Sequence, residues 1–289
     1  MKIINVIGGL GNQMFQYAFA LSLKNEFKDE DIFIDIHHFN HYKLHNGFEL
    51  SKIFKGTKLP VANKKQLKKV TYYIPHYTLS RMFRKCFPKL RTEYIEKTEY
   101  VYDDRPFSLI GNYYFEGYWQ SYKYYSKIKS QIFEAFKFPV PNSYNKDLAL
   151  EIASCNSVGI HIRRGDYLNH KDFKGICDLD YYKRALKALV SVSKEYSFYI
   201  FSNDIEWCKE NIQPLIKDYK VTYVTENRGQ DSFWDMYLMN QCINLIIANS
   251  SFSWWGAFLN KKAKNVFVPQ KWNNSYSINE IYSPEWIKI

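Results

Sequence analysis

The run VGIHIRRGDYL (Val158–Leu168) ends an apolar stretch abruptly in two arginines, a glycine and an aspartate. Two guanidinium groups just past a buried strand have no place in a core and need acidic partners. A diphosphate matches them, because guanidinium binds phosphate through paired N–H bonds and stays charged at any working pH. Asp166 stands close enough in sequence to orient one of the two. Side chains alternate along an extended strand, so Arg163 and Arg164 are not expected to make equivalent contacts. An ordinary surface Arg–Asp pair is the competing reading.

Two further strand ends carry related chemistry. In YIFSND (Tyr199–Asp204), a carboxylate stands where a guanine ring would offer its N1–H and exocyclic amine. The alternative there is that Asn203 or Asp204 caps the next helix. In IIANSSFSWWGAFL (Ile246–Leu259), Ser250, Ser251 and Ser253 open a helix, where free backbone N–H groups cradle phosphate. The alternative is a serine cap, with Trp254 and Trp255 in the core. Three anion-ready strand ends in one half of the chain favour a nucleotide site over three coincidences. The N-terminal GGLGNQMFQYA (Gly8–Ala18) is less telling. Met14 stands where a dinucleotide fingerprint needs its third glycine, and no Lys-Ser/Thr completes a Walker loop. On local chemistry it is a tight strand-to-helix turn capped by Asn12.

Alternating strands and helices must position these groups. The N-terminal pattern predicts strand Ile3–Ile7, helix Gln13–Phe27 and strand Asp31–Ile36. The middle, from about His37 to Tyr125, reads as helices and long loops. FPVPNS (Phe138–Ser143) breaks any regular element and marks the linker. Beyond it, strands are expected at Val158–Ile162, Phe198–Phe201, Val221–Val224, Asn244–Ala248 and Val266–Val268. Helices are expected at Tyr181–Lys194, Ile205–Ile212, Ser232–Cys242 and Phe252–Lys261, the first with Ala185, Leu186, Leu189 and Val192 on its apolar side. Short buried strands separated by helices imply parallel, right-handed βαβ units, hence a Rossmann-like half with ligands at the strand C-termini.

Composition narrows the setting. The chain has 289 residues, 46% hydrophobic and 24% charged, as a folded protein of one large core or two domains would. The apolar stretch around Ile243–Ala248 is far too short to span a bilayer, and the N-terminal apolar run is too short for a signal peptide. Five scattered cysteines without a CxxC pair argue against a disulfide framework or zinc knuckle and fit a reducing cytoplasm. The net charge of +11 is concentrated: Leu50–Thr92 holds twelve lysines and arginines and no Asp or Glu. Such a block suits an anionic surface, though a solvated basic face is the plain alternative. Its interleaved Tyr72, Tyr73, Tyr77, Phe83 and Phe87 come with no nucleic-acid motif.

Taken in order, GGLGNQMFQYAFA, GYWQSYKYY (Gly117–Tyr125), HIRRGDYL, CDLDYYKRAL (Cys177–Leu186), FSNDIEWCKENI (Phe201–Ile212), DMYLMNQC (Asp235–Cys242) and NSSFSWWGAFL resemble the bacterial α-1,2-fucosyltransferases of glycosyltransferase family 11. The resemblance runs nearly end to end. It implies an α/β fold of GT-B type, two Rossmann-like domains facing a cleft. Residues 1–141 would form the acceptor side, with a basic helical middle at 50–92, and residues 142–289 would bind the nucleotide sugar.

The implied reaction is inverting, metal-independent transfer of fucose from GDP-β-L-fucose to the 2-hydroxyl of a galactoside, in surface polysaccharide or O-antigen synthesis. No cofactor is implied. Arg163 would hold the donor diphosphate and Asp204 the guanine, while Ser250, Ser251 and Phe252 line the nucleotide. Asn12 would lie near the reaction centre. The same motifs put His161, Arg164 and Asp235 with the donor, Asp166 with the catalytic groups, and Gly9, Gly11 and Gln13 in the acceptor-side loop. Asn203 departs from the family pattern, standing where relatives often carry a second aspartate. The general base is open among Asp166, Asp172, Asp178 and Asp180. Expected partners are GDP-fucose, a galactoside (a lipid-linked oligosaccharide among the candidates) and an anionic membrane met through residues 50–92, but no nucleic acid. A cytoplasmic protein, peripheral at the inner membrane face, follows. Two other functions compete: a GT-B enzyme for another nucleotide sugar, and a non-catalytic basic polyanion binder.

Overall fold

Strand β1 (Lys2–Asn5) is buried along its whole length, as a central parallel strand covered on both faces must be. The computed structural model to which it belongs describes residues 1–41, 45–190 and 195–289, and the chain divides into two units, Met1–Pro139 and Val140–Ile289.

In the first unit β1 leads into α1 (Leu10–Glu26) and β2 (Ile32–Asp35). Then come the short helices α2 (Leu50–Ile53) and α3 (Lys64–Leu67), α4 (Tyr77–Cys86), β3 (Glu93–Ile95), β4 (Tyr113–Glu116) and α5 (Lys129–Ala135). The sheet order is β2-β1-β4-β3, all parallel. The middle of the chain is therefore more than helices and loops: β4 pairs directly with β1. Charged residues hid these strands, and Glu93 is buried only because Thr71 and Arg84 bind its carboxylate at 2.5 and 3.1 Å. Helix α1 is covered almost all round; its Phe19 ring stacks on Trp119 at 3.9 Å.

The second unit runs α6 (Ser143–Ala153), β5 (Ser157–Ile162), α7 (Leu179–Val190), β6 (Ser197–Ser202), α8 (Ile205–Asn211), β7 (Lys220–Val224) and α9 (Phe233–Met239). It closes with β8 (Asn244–Ile246), α10 (Ser251–Phe258), β9 (Asn265–Val268) and β10 (Ile287–Lys288). Its six strands lie in the order β10-β9-β8-β5-β6-β7, again all parallel. Ala185, Leu186 and Leu189 pack into the core, whereas Val192 and Lys194 of the expected longer helix lie outside the described residues. Helix α7 begins two residues before Tyr181, because Asp178 Oδ1 accepts the Tyr181 N–H at 2.9 Å. Trp254 and Trp255 are fully buried, each worth about 3 kcal/mol or more against truncation.

Candidate active site

Parallel pairing puts every strand C-terminus of the second sheet at one edge, and β8, β5 and β6 are neighbours there. The register Ile162↔Ser202 sets the residues just past β5 beside those just past β6. Arg164 therefore meets Asn203 and Asp204, although 39 and 40 residues separate it from them. Arg164 is fixed three ways. Its Nε donates to Asp204 Oδ2 at 3.0 Å, its guanidinium lies 4.1 Å over the Trp207 ring, and its backbone N–H donates to Asn203 Oδ1 at 3.0 Å. Arg163 is freer: it pairs with exposed Asp166 at 2.8 Å and lies 5.6 Å from the Tyr167 ring, and 35% of its side chain faces solvent. Between the second arginine and Asp166 the backbone turns at Gly165, at φ +41°, where an added Cβ would sit 2.5 Å from Asn203 Nδ2.

The loop after β8 joins the same edge. Tyr167 donates its phenol to the Asn249 carbonyl at 3.4 Å and also hydrogen-bonds Ser250. Ser250 holds the N-cap position of α10 without capping it, and Ser251 and Phe252 follow half-buried. The first N–H groups of this helix have no intrahelical partner and suit an anion. Ser253 is turned away: it is buried, and its hydroxyl donates to Ala248 and Ser250 carbonyls at 3.3 Å. That removes it from the expected phosphate cradle. The His161 ring, 6.1 Å from Phe252, is buried, and its Nδ1 has no hydrogen-bond partner among the described residues. Burial, aided by the Arg163 charge, pushes its pKa down to about 3, so it is a neutral imidazole.

Other candidates are occupied elsewhere. Asp204 caps α8 by accepting the Trp207 N–H at 3.2 Å, so both of its oxygens have partners, each with a lone pair to spare. Asp235 accepts from Asn227 Nδ2 at 2.9 Å, and Asn227 in turn bonds Asn145, which sets Asp235 in an amide network apart from the arginines. Burial raises its carboxyl to about 7. Asp172 binds Ser275, Asp178 caps α7, and Asp180 pairs with exposed Lys183 at 3.3 Å. Among the described residues no three of His, Cys, Asp and Glu gather as a metal site would require.

At the strand C-termini of the first unit, Gly8 turns at φ +83° and Gly9 is the N-cap of α1. The helix starts at Leu10, so Asn12 is not its cap. Instead, the Asn12 amide oxygen accepts from Gln120 Nε2 at 2.8 Å. Gly11 lies buried in the first turn of α1. Gln13 is a structural tie, not an exposed loop residue: it is fully buried, donates to the Gly8 and Gly47 carbonyls and accepts from the Glu49 N–H at 2.9 Å. Sequence reasoning missed Gln120 and Glu96. Glu96 accepts the backbone N–H groups of Tyr118 and Trp119 and so holds the turn that presents Gln120. Missed too was Trp207, three residues beyond Asp204, whose helical spacing puts its ring within reach of whatever that carboxylate binds.

With the geometry in view, the comparisons are specific. The glycosyl transferase family 11 model matches residues 1–289. An α-1,2-colitosyltransferase of Escherichia coli is 31% identical over 99% of this chain and 98% of its own length. Galactoside α-(1,2)-fucosyltransferase 2 of Hylobates lar is 28% identical over 90% of this chain and 69% of its own length. The crystal structure of the NodZ α-1,6-fucosyltransferase soaked with GDP-fucose aligns with TM-score 0.51 at 14% identity, covering 92% of this chain and 93% of that one. The shared fold is of GT-B type, α/β with parallel sheets.

Proposed function

The chain belongs to glycosyltransferase family 11, and from that premise we propose that it transfers L-fucose from GDP-β-L-fucose to the 2-hydroxyl of a galactoside, with inversion and without a metal. The observation that carries the reading is the joined edge of β8, β5 and β6. It sets Arg163, paired with exposed Asp166 and still 35% open to solvent, beside a second guanidinium locked in place and near an open helix N-terminus. Cleaving the sugar–phosphate bond leaves negative charge on GDP and positive character on the sugar. Guanidinium groups held before the reaction stabilise that charge by several kcal/mol, about 3 or more. In this reading Arg163 binds the diphosphate, Asp166 orients it, and the N–H groups at Ser251 and Phe252 take a phosphate oxygen. Neutral His161 lies buried beneath them, against Phe252, and Asp204 uses its spare lone pairs for the guanine N1–H and amine. The first unit takes the acceptor, with Asn12 held by Gln120 near the hydroxyl. O-antigen synthesis at the inner membrane face is the setting this reading gives it.

A second reading, colitose transfer, is favoured by the 31% identical colitosyltransferase. Colitose lacks the 3-hydroxyl of fucose, so one contact decides between them. The test offers GDP-fucose, GDP-colitose and GDP-mannose separately, with a panel of β-galactosides and with EDTA present, and assigns product linkages by NMR. Fucose on O-2 of galactose, undiminished by EDTA, is expected. Colitose transfer alone would move the donor reading, and activity lost to EDTA but restored by Mn²⁺ would end the metal-free mechanism. Neither transfer nor donor hydrolysis would leave the polyanion binder.

A further inference from the structure

Helix α4 is held to the first unit by one face. Ser80 is buried, and Arg84 reaches inward to Glu93 at 3.1 Å and Glu116 at 2.8 Å. The opposite face is apolar and uncovered. Leu79 and Met82 are 55% and 61% exposed, and Cys86, one turn further, is exposed as well. Spacings of three and four put these three side chains in one stripe. Phe87, just past the helix and 51% exposed, extends it, stacked on Phe83 at 4.1 Å. Arg81 and Lys85 run beside the stripe, with Lys89 and Arg91 beyond it, all exposed. From Leu50 to Thr92 every cation except Arg84 is exposed, and no carboxylate from that segment neutralises them.

We propose that the exposed face of α4 docks on an anionic bilayer, with Leu79, Met82 and Phe87 inserted among the acyl chains and Arg81, Lys85, Lys89 and Arg91 at the headgroups. The apolar stripe decides between this and a soluble polyanion. A polyanion would satisfy the cations but leave the stripe in water, whereas a headgroup layer over hydrocarbon satisfies both. Long basic side chains beside inserted apolar ones reach up to the phosphates as they do at any membrane interface. The inference goes beyond sugar transfer and needs no nucleotide for its test.

Binding is read by co-sedimentation with vesicles of phosphatidylcholine alone or with phosphatidylglycerol added, and separately on heparin. Wild type should bind only the phosphatidylglycerol vesicles and be released by salt. The pair Leu79→Ser/Met82→Ser should weaken vesicle binding by roughly tenfold or more while leaving heparin retention unchanged. Arg81→Gln/Lys85→Gln should weaken both. Unchanged melting temperature and circular dichroism certify the fold of each variant. If the serine pair binds vesicles as wild type does, or wild type ignores anionic vesicles at low salt, α4 is no membrane face.

Discussion

Arg164 and Asp204 are joined by a 3.0 Å bond that links the ends of two neighbouring strands, while Arg163, one residue earlier, pairs with exposed Asp166 and lies over the Tyr167 ring. The two arginines thus have separable duties. Arg163→Lys keeps the charge but loses the paired donors, so kcat should fall on the order of 100-fold with the melting temperature unchanged. Arg164→Lys gives up the Trp207 stack and the fixed Nε, and should cost about 1 kcal/mol of stability with a smaller loss of turnover. A folded, inactive Arg164→Lys beside a near-normal Arg163→Lys would reverse the assignment.

Asp204→Asn keeps an oxygen for the helix cap but, in the proposed donor site, would present an amide to guanine. It should raise KM for the GDP-sugar by about tenfold, roughly one charge-assisted hydrogen bond. Kinetics equal to wild type would confine Asp204 to its cap and its arginine.

Gly165→Ala places a Cβ 2.5 Å from Asn203 Nδ2, on a backbone at φ +41°. The Asn203 amide must swing off the Arg164 N–H, so a loss of about 1–3 kcal/mol in urea unfolding and weaker GDP binding are expected. Adding Asn203→Ala to Gly165→Ala should recover part of the stability; if the two losses simply add, the clash is not the cause.

The Glu96 carboxyl is raised to about 7, chiefly by burial and also by Glu99 and Asp103, against the two N–H bonds that favour its charged form. Unfolded, it releases its proton near 4.5, so between there and about 7 the native state holds more protons and stability falls as pH rises. Asp235 acts in the same direction. Glu96→Gln should therefore flatten, without abolishing, the decline in urea midpoint between about pH 4.5 and 7, at a fixed cost of about 1 kcal/mol for a lost N–H partner. An unchanged slope would show that Glu96 does not titrate there.

The strands of the second unit were legible because each is an apolar run closed by polar punctuation, as at Ile162-Arg163 and Ser202-Asn203. Strands β3 and β4 were not, because a buried Glu93 reads as surface until Arg84 and Thr71 are seen against it. The pairing of the arginines was open for a similar reason: by chemistry Arg164 suits Asp166 or another acid, but the register of β5 on β6 brings it Asp204 and leaves Asp166 to Arg163. Asn12 looked like a cap since nothing local announces Gln120, 108 residues away.

The edge formed by β8, β5 and β6 hangs its polar groups on three separately rooted loops. A substitution in one loop leaves the strands under the other two in register, because the ladder beneath is made of backbone bonds. The side chains above that ladder are tied across the loops, Arg164 to Asn203 and Asp204 and Tyr167 to Asn249, so a change in one loop shifts polar groups in the next while the sheet beneath stands still.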